Sequence, residues 1–124
     1  MPAEAVFEER DGCLRVRILA CESTDQLCAV AERILEECET RRLSKVLIDA
    51  LAVLETMPVI SYYEAGVRCA DMSRRYLKVA CVVQPQATNP DRFFENVLQN
   101  RGVHYRWFLD GDQAQRWLQD DRLG

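Results

Sequence analysis

No stretch of this chain approaches the ~18 apolar residues in a row that a membrane-spanning helix needs. The N-terminal MPAEAVFEERDG also lacks a basic segment followed by an apolar one. Neither a spanning segment nor an export leader is expected, and the expected compartment is the cytoplasm. Histidine occurs once, as His104, and no Cys-x-x-Cys or His-x-x-x-His spacing is present, so no metal centre is expected. A Gly-rich phosphate loop, a nucleophile elbow and an assembled acid–base pair are missing as well, so neither a cofactor nor an enzymatic activity is expected. Net charge is −4 with the signs interspersed. That leaves no basic field for a phosphate backbone, which excludes nucleic acid as an expected partner.

What is present suits one domain. The 124 residues are 48% hydrophobic, enough to bury roughly two thirds of the unfolded surface. The six cysteines, Cys13, Cys21, Cys28, Cys38, Cys69 and Cys81, fall mainly in apolar stretches. In a reducing compartment they read as free, buried thiols. A cysteine meeting His104 in space as a nucleophile pair is the alternative that spacing alone does not decide.

Residues 5 to 20 read as a β-hairpin, because Asp11-Gly12 suits a turn needing positive φ at both residues. Its second arm sends Leu14, Val16 and Ile18 one way and Arg15 and Arg17 the other, which gives it a solvated or partner-facing side. Ser23, Thr24 or Asp25 caps a helix down to about Thr40, with Leu27, Val30, Ala31, Ile34, Leu35 and Cys38 at helical spacing. Residues 45 to 51 form a strand apolar on both faces, as in a parallel sheet covered on both sides. A second helix is predicted over 59 to 75, a strand over 77 to 83, and a third helix from Asn89-Pro90 to Gly102. A strand over 103 to 109 and an Asp110-capped helix burying Ala114, Trp117 and Leu118 complete the order ββαβαβαβα. The expected fold is a single-domain α/β sandwich. Its mixed, mostly parallel sheet has about five strands, an N-terminal hairpin, about four flanking helices and right-handed crossovers.

Several runs in this order resemble the SpoIIAA-like branch of the STAS domains, grouped with Sec14-type domains: KVLIDALAV, KVACVV, FFENVLQNRG and DGDQAQRWL. The resemblance covers about residues 12 to 119. It implies a small non-catalytic interaction domain that binds a protein partner or itself. In anti-sigma-factor antagonists of this type, the loop after the strand matching 45 to 50 carries Asp-Ser-x-Gly, whose serine is phosphorylated. Here that stretch is Leu54-Glu55-Thr56-Met57-Pro58-Val59, without the motif, and the nearest hydroxyls are Thr56 and Ser61.

Two groups of residues are candidates for a site. Asp49 ends a strand, where it either accepts backbone N–H bonds and fixes the turn or opens a ligand site at the carboxyl edge of the sheet with Thr56, Gln84, Thr88 and Asn89. Asn89, Asp91 and Arg92 read as ordinary helix capping or as the rim of an anion site, with Pro90 and Asp91 opposing the latter. The second helix carries Tyr62, Tyr63, Arg68, Arg74 and Arg75, residue types enriched at binding hot spots, and stands next to the phospho-loop in the resembled family. A docking surface for a protein partner or a second copy is expected there. The rival reading is a small apolar or anionic, lipid-like ligand held between the sheet and the second and third helices by Val59, Tyr63, Phe93, Phe94 and Val97.

Overall fold

The computed structural model of the protein describes residues 4–21, 23–52, 59–72, 77–85 and 95–120, with the side chains at 59–63 and 72 outside the description. The chain begins with β1 (Glu4–Arg10) and β2 (Cys13–Ala20), joined by Asp11 and Gly12 at φ 55° and 76°. Positive φ at both residues matches the turn to the strand twist, as Asp-Gly predicts. There follow α1 (Thr24–Arg41), β3 (Lys45–Asp49), α2 (Val59–Met72), β4 (Lys78–Val82), α3 over 95–100, β5 (His104–Phe108) and α4 (Gly111–Gln119). The order ββαβαβαβα is the one the sequence predicts.

The five strands lie in the order β1-β2-β3-β4-β5. β1 pairs antiparallel with β2, and all later pairings are parallel. Residues alternate between two faces. Leu14, Val16 and Val46 join Val30, Ile34 and Cys38 of α1, and Cys81, Val83 and Tyr105 join Ala65 of α2 and Leu98 of α3. On the opposite face Cys13, Leu47, Ala80 and Val82 meet Ala114 and Leu118 of α4. Leu118 is fully buried, so truncating it to alanine costs about 2–5 kcal/mol. With α1, α2 and α3 on one face and each step moving one strand along, the three crossovers share one hand.

The strands end sooner than their apolar runs, β3 at Asp49 rather than residue 51, because the backbone turns away once Asp49 binds the N–H of Leu51. Trp117 is only half-buried where full burial is expected, since it lies on the flank of α4 against Phe108, ring centroids 5.7 Å apart. The Lys78 ammonium lies over its ring, 4.5 Å from the centroid. The Lys78 ammonium then donates to the carbonyls of Trp117 and Asp120 at 2.6 and 2.8 Å, closing the C-terminus of α4.

The two margins of the sheet differ. At β5, Glu95 of α3 accepts the Trp107 N–H at 2.8 Å and Gln99 donates to the Tyr105 carbonyl at 2.9 Å. The β1 margin has no such cover among the described residues.

Candidate functional site

At the carboxyl end of β3, Asp49 Oδ1 accepts the N–H of Leu51 at 3.0 Å, two residues on. This is the turn-fixing geometry of aspartate. Its second oxygen lies 3.7 Å from Arg17 Nε, in register across the β2–β3 pairing. The Arg17 side chain is 67% exposed, so the pair is solvent-screened and contributes at most about 1 kcal/mol. Arg15, two residues earlier on the same face, donates to Gln115 of α4 at 3.0 Å. The polar side of β2, expected to be solvated or partner-facing, is therefore covered by α4 at Arg15 and exposed at Arg17.

Gln84, just past β4, donates to the carbonyl of Leu51, and the Ala50 N–H bonds to the Val82 carbonyl at 2.9 Å. Asp49 and Gln84 are thus brought together through the backbone of Leu51. Thr56, Thr88 and Asn89 lie outside the described residues, as do Asp91 and Arg92. Because the strand order never reverses, the parallel part of the sheet lacks the crevice that a reversal opens in doubly wound folds. An open groove of about 400 Å³ lies instead near the start of β3, lined by Cys38, Glu39, Arg42, Leu43 and Ser44.

On α2, Arg68 is exposed and donates to Asp25 of α1 at 2.9 Å. That bond raises the guanidinium above its ordinary value, and the arginine stays charged. Tyr62 and Tyr63 belong to α2, with side chains outside the description, and Arg74 and Arg75 lie beyond the described residues. The predicted surface is thus represented by Arg68, which also ties α2 to α1.

None of the six cysteines forms a disulfide, and all are buried but the half-buried Cys69. Cys28 and Cys69 are hydrogen-bonded between α1 and α2. Burial raises both thiols, Cys69 up to about 12, and lifts Cys38 to about 11. Raised thiols carry little thiolate at neutral pH, which opposes nucleophilic use. His104 opens β5 exposed, beside Lys78 in the register. Among the described residues no group of three His, Cys, Asp or Glu side chains is disposed to hold a metal, and no helix is long and apolar enough to cross a membrane.

No family model matches the chain, and no curated protein matches it. Solved structures do. An anti-sigma factor antagonist from Mycobacterium paratuberculosis superimposes with a TM-score of 0.65 at 14% identity, over 95% of each chain. An uncharacterised DUF3478-family protein with a SpoIIAA-like fold from Shewanella loihica gives 0.59 at 14% identity, over 94% of this chain and 93% of its own. The SpoIIAA-like fold implied by the resemblance is the fold observed.

Proposed function

We propose that the chain is a cytoplasmic, non-catalytic regulatory module that recognises a protein partner or a second copy of itself. The observation that supports this most is the end-to-end likeness to an anti-sigma factor antagonist. The contact surface in this reading is α2 and the loop before it, with Tyr62, Tyr63, Arg68, Arg74 and Arg75 as contacts. Tyrosine and arginine supply broad, amphipathic contact area with fixed donors. Asp49, Thr56, Gln84, Thr88 and Asn89 frame the adjoining loops, and Asp49 acts there as scaffold, in keeping with its bond to Leu51. Without the Asp-Ser-x-Gly motif, recognition proceeds without the serine switch of the resembled family.

A lipid-like ligand is less well supported. Of the residues that would line its cavity, Phe93, Phe94 and the side chains of Val59 and Tyr63 lie outside the description, and among the described residues Ala65, Cys81, Val83, Leu98, Val103 and Tyr105 form one buried cluster on that face of the sheet.

The test is co-purification with the wild-type chain and with a variant carrying Tyr62→Ala, Arg74→Glu and Arg75→Glu. The variant keeps its circular dichroism and loses the partner. If every co-purifying partner and the oligomeric state stay unchanged, the reading fails.

A further inference from the structure

The two margins of the sheet call for separate explanations. A bare strand edge is a template for another strand, and proteins usually cover or blunt it. β5 is covered, because Glu95 and Gln99 occupy the outward N–H of Trp107 and carbonyl of Tyr105. β1 is the longer of the two, seven residues against five. In a hairpin with a two-residue turn the flanking pair, Arg10 and Cys13, is hydrogen-bonded, so Arg10, Glu8 and Val6 bond to β2, the register shifting by one residue only between Ala5 and Glu4. The outward groups belong to Ala5, Phe7 and Glu9. No described residue bonds to them.

We propose that two copies of the chain join edge to edge through β1, antiparallel about a two-fold axis at Phe7, into one continuous sheet with five strands from each copy. This register pairs every residue of β1 and sets the outward groups of Ala5, Phe7 and Glu9 against Glu9, Phe7 and Ala5 of the second copy. Its two ends are also charge-complementary. Glu4 falls opposite Arg10 of the second copy, and Arg10 opposite its Glu4, so two ion pairs close the two ends of the seam. Val6, 52% exposed, falls opposite Glu8 of the second copy and packs against its methylene stem. Each Glu8 keeps Arg15 of its own sheet opposite it. On the α1 face Phe7 meets Phe7, each under an Arg33 guanidinium 4.6 Å from its own ring. Slipping the register by two residues breaks both Glu4–Arg10 pairs and leaves residues unpaired. The occupant that best fits this edge is therefore the edge itself, in a symmetric contact. The inference does not rest on α2, and α2 variants leave this seam intact.

The experiment is sedimentation of the full chain over a concentration series reaching roughly 0.1 mM, with four variants. The wild type sediments at twice 14.3 kDa. Glu9→Pro removes only an outward N–H, a position where an edge strand tolerates proline, and sediments as a monomer. Glu4→Arg and Arg10→Glu each set like charges opposite one another at both ends of the seam and weaken the dimer roughly tenfold. Combining Glu4→Arg with Arg10→Glu restores it. A wild type that stays monomeric overturns the inference and leaves the edge to an extended segment of another protein. A dimer indifferent to the single charge changes, or a double variant no better than the singles, overturns it too. Should Glu9→Pro fail to fold, the charge exchange decides.

Discussion

Glu95 accepts the backbone N–H of Trp107 at 2.8 Å, so a helix side chain stands where the next strand of the sheet would be. Gln99 repeats the arrangement at the Tyr105 carbonyl. The match is metric: four residues of helix rise about 6 Å, and two residues of strand about 6.6 Å. Hydrogen bonds to a charged group are worth about 1.5–3 kcal/mol. Glu95→Ala is therefore expected to destabilise the protein by about that amount in urea unfolding. Adding Gln99→Ala increases light scattering on heating, because the β5 edge becomes free to pair. Unchanged stability and scattering in both variants sink this account of the edge.

Arg42 sits at the C-terminus of α1 at φ 58°, in the left-handed region, with its N–H bonded to the Cys38 carbonyl. A side chain there costs about 1–2 kcal/mol, and glycine escapes most of that cost. Arg42→Gly is expected to stabilise the protein by about 1 kcal/mol in thermal unfolding. A lower melting temperature shows that Arg42 makes contacts outweighing its strain.

Cys69 supplies a pH dependence. Burial raises its folded pKa from the ordinary 9.0 to about 12, so the unfolded chain releases this proton first as pH rises. The stability from the buried neutral thiol is complete below about pH 9 and falls progressively above it toward 12. Melting temperatures at pH 7 and above 9 should diverge less in Cys69→Ala than in the wild type. Equal divergence in the two excludes the thiol as the source. In the native protein at neutral pH, alkylation of the six cysteines is expected to be slow and to speed up on denaturation.

The fold was legible because each local signal agreed with the global one. Asp11-Gly12 fixed the hairpin, Ser23 the start of α1, where it accepts the Gln26 N–H at 3.1 Å, and the two-sided apolar runs at Val46–Ile48 and Val79–Val83 the buried parallel strands. The layer assignment was not legible. That α4, alone among the described helices, covers one face depends on which side the last crossover takes, and Ala114 and Leu118 would suit either side. The edge cap was hidden for a related reason: Glu95 and Gln99 read as the solvated flank of a helix, and only tertiary placement turns them toward β5. Of the candidate site, the turn-fixing role of Asp49 was foreseeable from residue type, whereas its pairing with Arg17 needed the strand register. Arg68 stands out in the sequence by residue type, but Asp25 as its partner lies 43 residues away and leaves no local trace.

Native mass spectrometry of the purified chain, compared with the same sample denatured, tests most directly whether this fold acts by recognition rather than by holding a small molecule. The predicted result is protein mass alone, in multiples of 14.3 kDa, with nothing released on denaturation. A retained mass that disappears on denaturation contradicts it and identifies a ligand-binding domain.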